Sequence, residues 1–205
     1  MAEANISIES PARLVQLTVG GTSHLWQRLG LRVDDSQTCR IGQVTLQLND
    51  GVPPGHLQWA FDPQVSSIDG IISASRVPDS EMVSSTFLHV DHVVVMTDSL
   101  ERTSTAIEER TGLELRRTRD AGKGVRQAFH RSGEVVIEVV QAPHVTEPQL
   151  WGFVLVAPRF DEVVSRLGES VLSVPKDAVQ PGRRITTVRR EVGLGVNVAL
   201  ISPGQ

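Results

Sequence analysis

The chain of 205 residues sets 20 Lys and Arg against 24 Asp and Glu, a formal net charge of -4, and 40% of it is hydrophobic. That balance excludes the disordered class, in which low hydrophobicity and high net charge prevent a core from forming. It also leaves no basic footprint for nucleic acid or an anionic membrane. One cysteine, Cys39, excludes an intrachain disulfide and any Cys-based metal motif and suits a reducing cytoplasm. The longest apolar runs, such as Val93 to Met96, are strand-sized, far short of the ~18 residues of a membrane span. The polar, acidic opening segment lacks the basic-then-apolar order of a signal peptide. The expectation is a soluble, cytoplasmic protein.

From the N-terminus, Leu14–Val19 reads as a strand and Ser23 to Leu29 as a short helix closed by Gly30. RIGQVTLQL (40–48) lies on RSGEVVIEV (131–139), with Gln47 falling on Glu138, and His56–Asp62 repeats the spacing of His92–Asp98. Residues 1–80 therefore read as one and a half to two degenerate units. RVPDSEMVSSTF (76–87) carries the connection, with the boundary set at 81–87 and a two-unit domain at 88–205.

The first full unit spans 90–141. A Val-rich run reads as a buried strand, Asp98-Ser-Leu-Glu101 as a capping-box-like helix start, and Gly112 as the left-handed stop after Thr111. Strands follow at Leu113–Arg117, Val125–His130 and Glu134–Val140, with Arg131-Ser132-Gly133 as a hairpin turn. The same β-α-β-β-β order then recurs. Trp151–Val156 is a strand, and Phe160, Val163, Val164 and Leu167 form an amphipathic helical stripe ended by Gly168. A weak strand at Leu172 and strands at Arg184–Arg189 and Val196–Ile201 complete it.

Paired units that open on D-H-V-V-V and close on V-V-I-E-V-V resemble the vicinal oxygen chelate superfamily, which includes glyoxalase I, extradiol dioxygenases, methylmalonyl-CoA epimerase and bleomycin-resistance proteins. HVDHVVVMTDSLERT and VQPGRRITT look like actinobacterial glyoxalase-like proteins. The resemblance covers 88–203 and, more faintly, the first 75 residues. It implies an α+β fold of paired units forming curved, cup-shaped mixed sheets. It also implies a small-molecule ligand or substrate in the cup, a divalent metal (Zn, Ni, Mn or Fe) held from the first and last strands of each unit, and a homodimer. In the first unit those positions fall on His92 and Glu138, and a neutral imidazole with a carboxylate suits such ions. In the second unit they fall on Gly152 and on Ala199 or Val198, with Asn197 the nearby polar residue. Two of four ligands are thus missing, and His56 and Gln47 of the N-terminal copy are the candidates to supply them.

The residues leave alternatives open. His92 reads as a metal ligand, a substrate contact or a satisfied core histidine. Glu138, inside a Val-rich strand, needs a partner. Arg126 lies opposite it for a three-residue turn and Gln127 for a two-residue turn. Glu138 is also the candidate catalytic proton carrier. Trp151 and Trp59 each sit in an opening strand, as cavity floor or as core. Pro181-Gly182 delivers Arg183 and Arg184 to a strand start, where alternation sends one to each face and one can bind a carboxylate or phosphate. His24, His89, His130 and His144 read as surface. The favoured function is metal-free binding of a small organic molecule by Trp151, Arg126, Glu138 and Arg183 or Arg184. The alternatives are a metal-dependent lyase, isomerase or dioxygenase using His92 and Glu138, and a structural or protein-interaction role.

Overall fold

Strands dominate the computed structural model, which describes residues 10–204. Residues 1–9, most of the segment read for a leader, lie outside the described residues. The N-terminal part contains β1 (Arg13–Gly20), α1 (Ser23–Arg28), β2 (Thr38–Ile41), β3 (Val44–Asn49) and β4 (Leu57–Asp62), forming a four-stranded sheet in the order β2-β3-β1-β4. A short hairpin, β5 (Ser67–Ile68) and β6 (Ile71–Ile72), follows. The first full unit is β7 (Val90–Thr97), α2 (Leu100–Thr111), β8 (Leu115–Gly122), β9 (Val125–Ser132) and β10 (Val135–Gln141). The second is β11 (Gln149–Val156), α3 (Phe160–Leu167), β12 (Lys176–Asp177), β13 (Arg184–Thr187) and β14 (Asn197–Ile201). Together they form one mixed sheet of eight strands in the order β12-β13-β14-β11-β7-β10-β9-β8. Within each unit the first strand pairs parallel with the last, and β7 joins β11 antiparallel at the centre.

Local chemistry explains the elements. Ser99, not Asp98, caps α2: its side chain accepts from the Arg102 N–H, while Asp98 holds the Arg102 guanidinium. Gly112 ends the helix at φ 70° and donates its N–H to the Glu108 carbonyl. Leu100 and Ile107 seat α2 on the sheet, and burial of each stabilises by ~1.5–3 kcal/mol. In β10, Val135, Ile137 and Val139 are buried while Val136, Glu138 and Val140 take the other, half-covered face, as a two-residue period requires. The expected strand at Leu172 shrinks to a single bridge with Val188, and the outermost strand forms at Lys176–Asp177 instead. Pro175, which has no N–H to donate, separates the two.

The N-terminal part is one unit short of a strand, followed by the opening strand of another. Where the extra strand would run, the Asp34 carboxylate accepts from the N–H groups of Ser36 and Thr38 and the hydroxyls of Thr38 and Ser80, fixing a loop. Strand register defines which residues correspond. Gln16 and Thr18 of β1 oppose Thr45 and Gln47 of β3, as His92 and Val94 of β7 oppose Val136 and Glu138 of β10. Both hairpins turn on a glycine at φ 63°, Gly42 and Gly133. Strand β4 crosses β1 as β11 crosses β7: Ala60 opposes Gln16 as Val154 opposes His92, and Gln58 opposes Thr18 as Gly152 opposes Val94. The irregularity is shared too, since one residue is passed over in each opening strand, Val15 in β1 and Asp91 in β7.

A single hydrophobic cluster runs through both parts, with Leu17, Trp26 and Ile41 continuous with Val93, Phe153 and Leu155. Trp26 stacks on Phe153 with centroids 6.0 Å apart and planes 4° from parallel. The Gln43 amide stitches the two hairpins, donating to the carbonyls of Leu14 and Ser132 and accepting from the Glu134 N–H. Gly133 leaves room for that amide, which a Cβ would strike.

Candidate functional site

Asp91 and His92 are neighbours in β7 and, in a regular strand, would point to opposite faces. The bulge at Asp91 breaks that alternation and brings both side chains together. His92 Nδ1 lies 2.8 Å from Asp91 Oδ2, and Nε2 faces Glu138 Oε2 at 3.5 Å. Arg183 Nη1 lies 2.7 Å from Asp91 Oδ1, and its Nε donates to the Ser202 carbonyl at 2.8 Å. Burial pushes the Asp91 carboxyl up, but hydrogen bonds and charge from His92 and Arg183 outweigh it and hold the pKa below the ordinary value. On the far side, Gln127 Nε2 donates to Glu138 Oε1 at 2.6 Å and Arg119 Nε donates to Gln127 Oε1 at 2.8 Å. The result is one polar chain, Arg183–Asp91–His92–Glu138–Gln127–Arg119, laid across the sheet.

His92 and Glu138 open onto a cavity of about 450 Å³. Its walls are mainly apolar: Val94, Met96, Val140, Trp151, Val154 and Ile185 among them, with His144, Thr187 and Asn197 as further polar groups. Trp151 stands 48% exposed at the mouth. Gly152 beside it is sterically obligatory, because a Cβ there would collide with the Asn197 carbonyl. Asn197 in turn donates from Nδ2 to the Trp151 carbonyl at 3.0 Å.

Several expected placements differ. The hairpin after β9 turns on Gly133-Glu134, so Ser132 opposes Val135 and Phe129, not Arg126 or Gln127, lies directly across from Glu138. Gln127 reaches Glu138 diagonally. Arg126 shares the opposite face with Ala128 and His130, beneath α2, and binds Glu101 at 2.7 Å. Arg183 and Arg184 do part to opposite faces. Arg183 backs onto Asp91, while Arg184 sits over the Phe160 ring and bonds Asp161 of α3, away from the cavity. Gln47 lies beside Gln16 and Thr18 in the other sheet, and His56 is exposed just before β4; neither lines the cavity with His92. Trp59 is fully buried against Phe61. His130 is not on the surface: it is fully buried with Nδ1 2.9 Å from the Leu113 carbonyl, and burial lowers its pKa despite that contact. His144, also read as surface, lines the cavity.

Asp91 was invisible to alternation, because only the bulge re-aims it. The Asp91-His92 pair that opens the strand was the available signal.

The residues at the cavity do not make a three-ligand metal site, the usual catalytic set. His92 and Glu138 offer two donors, and His144 lies on the cavity wall but is not gathered with them. Asp91 is engaged by Arg183, and the second unit has no room for a side chain at Gly152 and only a methyl at Ala199. Among the described residues no group of three or more His, Cys, Asp and Glu is gathered for a cation.

No family model matches the chain, and no curated protein matches it. Its backbone is similar to the crystal structure of methylmalonyl-CoA epimerase from Mycobacterium tuberculosis, at 16% identity and a TM-score of 0.51, over 61% of this chain and 95% of that one. It is also similar to a selenomethionine methylmalonyl-CoA epimerase structure, at 16% identity and a TM-score of 0.50, over 60% of this chain and 99% of that one. The chain has the vicinal oxygen chelate fold. Its four-stranded N-terminal sheet, built on the same register, forms a second and incomplete frame beside the vicinal oxygen chelate cup. No helix among the described residues is long and apolar enough to cross a membrane.

Proposed function

We propose that this protein binds a small organic molecule in the cup formed by β7, β10, β11, β13 and β14. The supporting observation is the cavity itself. Its volume of about 450 Å³ falls within the ~300–1,000 Å³ common for small-molecule pockets, and it combines an apolar wall with a few convergent polar groups. His92 and Glu138 supply the orienting contacts and Trp151 closes the mouth. Arg183 acts behind the site, holding Asp91 and through it the His92 ring. Arg126 and Arg184 act on other faces. The test is a screen of small molecules against the metal-free protein by melting temperature, since a ligand selective for the native state must stabilise it. Hits that lose their shift in Trp151→Ala or Glu138→Gln support the reading. Hits whose shifts survive both substitutions place the ligand elsewhere and overturn it.

A second reading rests on the separation of His92 Nε2 and Glu138 Oε2, 3.5 Å, which lets two donors address one ion. It requires further ligands from the substrate or a second copy of the chain, in keeping with the homodimer the resemblance implies. Metal content after incubation with Zn, Ni, Mn and Fe(II) tests it: stoichiometric uptake abolished by His92→Ala supports it, and no uptake removes it.

A further inference from the structure

The cavity is apolar and its one carboxylate is only half satisfied, which together specify the ligand's chemistry. Resting on the binding reading above, we infer that the ligand is a hydrophobic molecule bearing a protonated basic nitrogen. The nitrogen docks on Glu138 and the apolar body lies along Val94, Val140, Val154 and Trp151.

The Glu138 side chain is 15% exposed. One of its oxygens accepts from Gln127 at 2.6 Å, whereas the other lies 3.5 Å from His92 Nε2, beyond good hydrogen-bond length, and fronts the cavity. A mostly buried carboxylate whose nearest basic group is an imidazole at 3.5 Å has room for a closer partner, so a cationic donor delivered by a ligand is favoured there. No Lys or Arg lines the cavity among the described residues. The nearest guanidinium groups are already engaged: Arg183 by Asp91 and the Ser202 carbonyl, Arg119 by Gln127. An anionic ligand would therefore meet a carboxylate with no Lys or Arg to offset it, and the His92 imidazole beside it is already bonded to Asp91. Trp151, half exposed at the mouth, offers a π face that also attracts a cation.

The N-terminal sheet supplies an internal control. Gln16 and Gln47 occupy the places of His92 and Glu138, with Gln16 Nε2 3.3 Å from Gln47 Oε1. What sits on that neutral pair is neutral main chain: Gln16 donates to the Ser75 carbonyl and accepts from the Val77 N–H. An uncharged amide pair is satisfied by a peptide group, and its charged counterpart calls for a charged partner.

The test compares phenylbutylamine, phenylbutanol and phenylbutyrate, which share a carbon skeleton and differ in charge, by NMR titration of the full chain and of Glu138→Gln. The expected result is an amine Kd at least tenfold below that of phenylbutyrate, with the ratio falling to within about twofold in Glu138→Gln at unchanged melting temperature. Phenylbutyrate binding as tightly as the amine, or an amine preference that survives Glu138→Gln, overturns the inference while leaving small-molecule binding standing. Absence of binding by all three overturns both.

Discussion

In the four-stranded sheet, Gln16 and Gln47 meet beneath the chain's own segment 73–80. In the eight-stranded sheet, His92 and Glu138 meet beneath open space. Each of the four strands of the smaller frame has its counterpart in the larger, down to the residue passed over before each pair, yet the lining diverges. Thr18 becomes Val94, Asn49 becomes Val140, and Gln58 becomes Gly152. Polar linings carry amides and hydroxyls that must be satisfied, and backbone laid across them does so: Gln16 is 1% exposed and fully bonded, and Thr45 is covered and near Asp79. Apolar linings give no such anchor to a strap of main chain. The comparison teaches that one frame becomes a plugged support or a ligand cup according to the polarity of a handful of inward positions.

The largest expected effect comes from moving the bulge residue of one frame into the other. Val15 occupies the place of Asp91, so Asp91→Val makes the cup resemble its neighbour and strands Arg183, whose side chain is 12% exposed. Removing one member of a buried pair costs ~3–5 kcal/mol, and Arg183's residual exposure puts the expectation near ~3 kcal/mol. Urea midpoints measure it. The double variant Asp91→Val with Arg183→Met should regain most of the loss, because no orphaned charge remains. A loss below ~1 kcal/mol in the single variant would mean that water, not Asp91, satisfies Arg183.

Next in size is the plug. Gln16→Ala removes the side chain that holds Ser75 and Val77 and leaves Gln47 and Thr18 short of a partner. The expected cost is about 2 kcal/mol, within the ~1–3 kcal/mol for an unsatisfied buried group. Hydrogen exchange at the Val77 amide should quicken with it. His92→Ala, at the corresponding place in the open cup, should cost less than Gln16→Ala, because no strap depends on it. Equal costs would break the distinction between plugged and open frames.

How much of this was legible in the sequence follows from which signals are local. The period-two alternation of 135–140, the helical stripe of Phe160, Val163 and Leu167, and the glycines closing α2 and the hairpins are local, and they located the elements and the resemblance to paired units. The alignment of 40–48 on 131–139 set Gln47 against Glu138, the pairing that the strand register also gives. Three things depended on geometry that no short pattern encodes. The turn sat one residue later than expected, at Gly133-Glu134, which moved Phe129 opposite Glu138 and put Arg126 on the helix side. The bulge at Asp91 put two consecutive residues on one site. The counterpart of His92 turned out to be Gln16, which pairing reveals and composition does not, whereas His56, matched by spacing, precedes β4, a strand placed like β11.

The smallest expected effect sharpens the comparison on the buried side of the two sheets. His130 opposes Ile137 as Cys39 opposes Leu46, so the two are counterparts facing the core. Burial pushes the Cys39 thiol up to about 11, helped by the nearby Asp34 charge, and it stays neutral through the acid range. Burial pushes His130 the other way, below the ordinary imidazole value of 6.5, with the Leu113 carbonyl only partly opposing it. On acidification the unfolded chain therefore binds a proton before the folded one does. The stabilising contribution is present above about pH 6.5 and is lost progressively as pH falls toward the folded value, at up to ~1.4 kcal/mol per pH unit for one group. His130→Cys should flatten that part of the slope between about pH 7 and pH 5, whatever it does to stability at neutral pH, where the Leu113 carbonyl loses its donor. Urea midpoints across this range decide the matter: parallel profiles for the two proteins would mean that His130 protonates inside the fold as readily as in the open chain, and that the two buried counterparts differ in size but not in electrostatic consequence.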